Sequence, residues 1–153
     1  MVTNSELQEK SLYEIDYNLW VLETVKKIEN REFDSIDWEN LKEEVLSLAR
    51  EDKLELNNLL CRFFEYSLEL NYWQSIDSKY QRHCQAEKTR CRIEIKHILR
   101  DSPSLYYYLQ EILEECYQDG IDLASTRSGL PLSIFPESPI CNVEQILDED
   151  WLP

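Results

Sequence analysis

An all-α helical bundle is the fold class this sequence predicts, and three observations predict it. Only two glycines occur in 153 residues, so few positions favour a break over continued helix. All but one of the five prolines follow residue 130, which leaves the earlier chain free to run in long segments. Apolar residues recur at helical spacing over most of that earlier chain. Short connections between about four principal helices imply a bundle, followed by an extended, proline-containing C-terminal segment that ends in a short helix.

The first helix is expected from Ser5-Glu6 or Ser11 to Asn30. Leu12, Ile15, Leu19 and Leu22 follow one face while Tyr13, Tyr17, Trp20 and Val21 cover more of the circumference, which predicts burial on more than one side. Asp16 falls between the two faces and is a candidate for partial burial. A break over Asn30–Asp37 is expected to be pinned by Phe33 and Ile36, with Ser35 or Asp37 capping the second helix. That helix reads from Trp38 to Trp73, with Leu41, Val45, Leu48, Leu56, Leu59, Leu60, Phe63, Leu68 and Leu70 near one side and Asp52 interrupting the stripe, as a bend that lets it reach water in preference to a kink with an internal polar contact. The third, Asp77 to Arg100, places Tyr80, Cys84, Cys91, Ile95 and Ile98 on one face with Glu87 among them. Asp101-Ser102-Pro103 stops it and starts the fourth, since proline suits a first helical turn. The fourth runs from Ser104 to about Thr126 and is acidic outside through Glu111, Glu114, Glu115, Asp119 and Asp122. Gly129 can end it in a left-handed conformation. Asn142 then caps a short helix, Val143 to Leu147. Leu130, Leu132, Ile134, Phe135, Ile140, Ile146, Leu147, Trp151 and Leu152 are expected to anchor residues 129–153 as a strap over the helices.

A length of 153 residues fits one domain, 1–153, able to bury ~68–70% of its unfolded surface. The apolar share of 42% with 11% aromatic residues argues against disorder despite 31% charged residues. The net charge of −15 opposes indiscriminate binding to nucleic acid or anionic membranes. Its distribution is uneven, because residues 79–100 hold seven Lys or Arg against two Glu. Five cysteines without a CxxC pair, and an N-terminus without a basic region and apolar run, lead to the expectation of a reducing cytosol. No apolar stretch approaches the ~20 residues that span a bilayer.

Four motifs carry a resemblance: Leu12-Tyr13-Glu14-x-Asp16-x-x-x-Trp20; Phe33-Asp34-x-x-Asp37-Trp38-Glu39-Asn40-Leu41-x-Glu43-Glu44; Asp101-Ser102-Pro103-Ser104-Leu105; and Ile146-Leu147-Asp148-Glu149-Asp150-Trp151-Leu152-Pro153. In this order and spacing they resemble the bacterial domain-of-unknown-function family numbered twenty-nine, over nearly the whole chain. The resemblance implies an all-helical fold and no established activity. The chain departs from the family pattern at Tyr66-Ser67-Leu68-Glu69, where relatives carry a His-Leu-Leu-Lys type run before the aromatic pair Tyr72-Trp73. Cys84 stands where a tryptophan is usual, beside matching His83, Glu87 and Arg92. If the missing His and Lys carry a family function, this member has lost it; if they pack and pair charges, the changes are compensated swaps.

Glu94-x-x-His97 has the spacing of one half of a di-iron ligand set, and the second half is absent. Cys84 and Cys91 lie seven residues apart, ~10 Å along a helix, too far to share one tetrahedral zinc with His83. Cys84 beside His83 is the least poor nucleophile candidate, though adjacent helical side chains diverge by about 100°. No phosphate loop, nucleophile elbow or H-E-x-x-H motif occurs. The chain is therefore expected to hold no cofactor and no metal.

Asp16, Asp52 and Glu87 each interrupt an apolar face, and an interior polar network that sets helix register is the leading account. Lys88, Arg92, Lys96 and Arg100, four apart, form a basic stripe that could meet phosphates or be neutralised by an acidic helix or partner. The expected role is a non-catalytic helical interaction or regulatory module in the cytoplasm, with a protein partner and no membrane. A nucleic-acid-binding reading rests on the basic third helix and is the less favoured. An enzyme reading requires Asp16, Glu43, Glu44, His83, Glu87 and Arg92 to converge on one pocket. Homodimerisation through Trp73 or Trp151 is left open by the sequence.

Overall fold

Asp16 is where the chain first departs from its apolar periodicity. The computed structural model describes residues 10–151, and the chain divides into two compact units, Met1–Leu48 and Ala49–Pro153. In the first, α1 (Leu12–Ile15) ends and α2 (Tyr17–Glu29) begins at Asp16, whose backbone sits at φ −147° and whose carboxylate accepts from the Leu19 amide at 2.9 Å. The single first helix is thus corrected to two, and Asp16 is exposed. An acidic side chain satisfies free helical amides better than it tolerates an apolar face. The alternative start at Ser5-Glu6 lies outside the described residues.

Burial on several sides of this segment is also corrected. Trp20 and Thr24 are buried, whereas Ile15, Tyr17, Leu19, Leu22, Val25 and Ile28 are exposed. A single turn of 3-10 helix, Phe33–Ser35, follows. Ile36 packs inward as expected, but Phe33 stays exposed. Asp37, not Ser35, caps the next helix, accepting from the Asn40 amide at 3.2 Å. Helix α3 (Trp38–Tyr72) continues through Asp52 without a break.

In the second unit, residues 49–72 of α3 are joined by α4 (Ser78–Asp101), α5 (Leu105–Ser128) and α6 (Val143–Leu147). Their core centres on Leu56, Leu60, Phe63, Phe64, Leu68, Cys91, Ile95, Leu109 and Tyr117, all at most 2% exposed. Asp77 caps α4 through the Tyr80 amide, and Gly129 closes α5 at φ 75°, as its left-handed role requires. No strand occurs among the described residues, and the all-α helical-bundle class is the fold that forms.

Gly120 decides how closely α3 and α5 approach. A Cβ there would lie 2.6 Å from the Phe64 Cβ, 3.2 Å from the Glu65 nitrogen and 3.3 Å from the Cys61 oxygen. Two of these are backbone atoms, so the helices themselves would have to separate. Overpacking costs ~1–3 kcal/mol, against a gain of ~1 kcal/mol in helix propensity for alanine. Gly120→Ala is expected to lose about 1–2 kcal/mol in urea unfolding, whereas an exposed glycine in a helix would gain from the same change.

After Gly129 the chain crosses the second unit as an anchored strap. Phe135, Cys141, Val143 and Ile146 are buried, and Phe135 meets Tyr72 edge-on at 5.7 Å. The Tyr117 hydroxyl donates to the Pro136 carbonyl at 2.6 Å, and Ser125 to that of Leu130 at 2.7 Å. Leu130, Ile140, Leu147 and Trp151 pack partly. Two expected anchors, Leu132 and Ile134, are instead exposed, because a 3-10 turn at Leu132–Ile134 rotates them outward. Leu152 lies outside the described residues.

Candidate functional site

Two glutamates one turn apart on α3, Glu65 and Glu69, are 5% and 1% exposed. Residues four apart share a helix face, so both carboxylates project together from an apolar segment. Arg127, in the last turn of α5, meets them: Nη2 lies 3.0 Å from Glu65 Oε1, and Nε lies 3.4 Å from Glu69 Oε1. Its Nη1 donates to the Tyr80 hydroxyl at 2.7 Å, and that hydroxyl donates to Glu69 Oε2 at 2.8 Å. The Cys84 thiol approaches the same Oε2 at 3.4 Å. His83 completes the rim, tilted against Tyr80 at 5.7 Å and edge-on to Tyr66 at 5.9 Å.

Burial raises the Glu65 carboxyl above its ordinary value, opposed by Arg127 and reinforced by Glu69. The Tyr80 phenol is raised by burial and by its bond to Glu69. Cys84 is pushed up to about 12, first by burial and then by Glu69. A thiol held this way stays protonated and is a poor nucleophile. One guanidinium therefore bridges two carboxylates and a phenol, joining α3, α4 and α5. The arrangement ties helices together, because the contacts of Arg127 and Tyr80 run between residues of α3, α4 and α5.

The residues singled out for an enzyme site have separate partners. Glu44 accepts from the Tyr13 and Tyr17 hydroxyls at 2.5 and 2.7 Å, and these bonds hold its carboxyl below the usual range. Glu43, next to it, is exposed, and Asp16 is the helix cap described above. Glu87 pairs with Arg90 at 3.6 Å. Arg92 is 8% exposed and its Nε donates to the Ile146 carbonyl at 2.7 Å. His83, Glu87 and Arg92 thus share a helix but not a set of contacts.

The basic stripe is divided as well. Lys88 and Arg92 are buried, Lys96 binds Glu149 at 2.7 Å, and Arg100 contacts Asp101 at 3.3 Å. The acidic group that neutralises Lys96 comes from the strap and not from α5. Among the described residues no three His, Cys, Asp or Glu side chains gather in a metal-binding group. Sequence reading passed over Glu65 and Arg127. The available signal was two glutamates four apart inside the apolar run Leu59–Leu70. Glu69, standing where the resemblance leads one to expect lysine, meets a cation from α5, which is the form a compensated charge swap takes.

The fold and this cluster define a helical protein with a charged tie inside its larger unit. The chain belongs to the family described as Domain of unknown function DUF29, whose family model matches residues 12–152. No curated protein and no solved structure matches it. Among the described residues no helix is long and apolar enough to cross a membrane.

Proposed function

We propose that the chain is a non-catalytic interaction module, a single cytoplasmic domain that takes up an amphipathic helix of a partner protein on its N-terminal unit. The observation that carries this reading is an apolar groove of about 230 Å³ formed by α2 and the start of α3. Trp20 and Thr24 are its buried residues, while Tyr17, Val25, Ile28, Val45 and Leu48 line it and are exposed. Helix-in-groove recognition uses this kind of surface, read by apolar residues at i, i+3, i+4 and i+7. Residues 10–48 carry ten carboxylates against five Lys or Arg, so the complementary partner is a helix with an apolar face and basic flanks. Five buried, unpaired thiols fit a reducing compartment.

The test replaces Val25 and Val45, both exposed, with aspartate. The double variant is expected to keep the parent melting temperature within about 2 °C and to lose at least tenfold in affinity for a purified partner identified by crosslinking from Leu48. Undiminished binding, or crosslinks from Leu48 that join only copies of this chain, would overturn the reading.

A further inference from the structure

A second constellation, separate from the glutamate cluster and from the N-terminal groove, lies on α4 beside the end of the strap. Lys88 and Arg92, one turn apart, are each 8% exposed, and both line a cavity of about 390 Å³ with Asn71, Gln81, Gln85 and Trp151. Two like charges at this spacing repel. Neither has a carboxylate within ion-pair distance among the described residues. Glu149 feels the charge of Arg92 but is itself exposed and bound to Lys96 at 2.7 Å.

The partners these cations do have leave charge uncompensated. Lys88 Nζ lies over the rings of Phe63 at 5.4 Å and Trp151 at 5.6 Å. Burial first, and then Arg92, pulls its ammonium down to about 8. Arg92 gives its Nε to the Ile146 carbonyl and lies over the Phe63 ring at 5.7 Å, while its Nη2 is buried and has no hydrogen-bond partner among the described residues. A buried cation without a counter-charge is costly, and a buried donor without an acceptor adds to that cost. An anion that reaches both would relieve each.

We infer that this cavity binds a small organic phosphomonoester whose dianionic phosphate sits between Lys88 and Arg92. Two cations with no carboxylate beside them among the described residues match a dianion better than a monocarboxylate, and an Arg fork beside a Lys point charge is a common phosphate-binding pair. The cavity falls within the 300–1,000 Å³ range typical of small-molecule sites, larger than phosphate alone requires. The amides of Asn71, Gln81 and Gln85 offer hydrogen bonds to the organic part, and Trp151 offers it an apolar wall.

The experiment is thermal unfolding and calorimetric titration of the full chain with phenyl phosphate, inorganic phosphate, benzoate or sodium chloride at matched ionic strength. Phenyl phosphate is expected to raise the melting temperature most and inorganic phosphate less, while benzoate and chloride leave it unchanged. Lys88→Met is expected to raise the melting temperature of the unliganded protein, by removing an uncompensated charge, and to weaken phenyl phosphate binding at least tenfold. Gln85 is exposed, so Gln85→Glu is expected to fold normally and, by placing a carboxylate beside the cations, to weaken binding by a similar factor. Equal shifts from phenyl phosphate and chloride, or full affinity in both variants, would overturn the site. A shift from inorganic phosphate as large as that from phenyl phosphate would overturn the organic-ester assignment.

Discussion

A chain ending at Gly129 is expected to lose its cooperative unfolding transition. The strap places Phe135, Val143 and Ile146 in the core at 5%, 3% and 1% exposure. Burial of each such side chain contributes ~1.5–3 kcal/mol. Together they supply roughly 5–9 kcal/mol, comparable with the whole stability of an ordinary domain at ~5–15 kcal/mol. Ile146→Ala alone is expected to cost about 2–5 kcal/mol. Leu132→Ala, at a position 56% exposed, should stay within about 0.5 kcal/mol. Urea unfolding followed by circular dichroism checks all three. Equal effects at Leu132 and Ile146 would contradict the anchoring pattern, and an unchanged melting temperature after truncation would contradict the strap.

Arg127→Met is expected to destabilise the protein by about 2–3 kcal/mol at neutral pH. Removing one partner of a fully buried ion pair costs ~3–5 kcal/mol; the smaller figure allows for the Arg127 side chain being 44% exposed. Two buried carboxylates would then face each other without the cation that bridges them. The pH dependence separates this from lost packing. Because the Glu65 carboxyl is raised in the folded protein, its contribution is fully present below the unfolded carboxylate value and is lost as pH rises through the folded one. Arg127 opposes that rise, so its removal carries the folded value further up and widens the window. The variant should therefore recover stability relative to the parent as pH falls from neutral toward the ordinary carboxylate range, where Glu65 takes up a proton. A loss independent of pH would mean that Arg127 acts through its methylenes and not through its charge.

Much of the fold was legible because helix ends are local chemistry. Asp77, Gly129 and Asn142 each mark a boundary by capping or by a left-handed backbone, interactions between residues two to four apart. Asp16 is ambiguous on the same local grounds, since a carboxylate between two apolar faces fits either a buried polar contact or a cap. Side-chain periodicity cannot distinguish them. Exposure of Leu132 and Ile134 was not legible either, because the 3-10 turn that rotates them is set by the anchors on both sides.

The candidate site was least legible. Arg127 is far in sequence from Glu65 and Glu69, and nothing in the last turn of α5 marks it as their partner. The four cations of α4 showed the reverse problem. Their spacing put them along one stripe, but whether each faces water, a carboxylate or the interior depends on where the strap crosses.

The sequence by itself determined the long helices, their order, the caps at Asp77, Gly129 and Asn142 and the family, because these follow from short-range backbone preferences and from motifs that survive as text. Only the tertiary structure decided that Gly120 sets the α3–α5 approach, that Glu65 and Glu69 share one guanidinium, and that Lys88 and Arg92 lie buried without a counter-charge among the described residues. Those are distances between segments far apart in the chain. Burial then fixes the energetic meaning of each charge, because the same cation that is inexpensive in water demands a partner once it is enclosed.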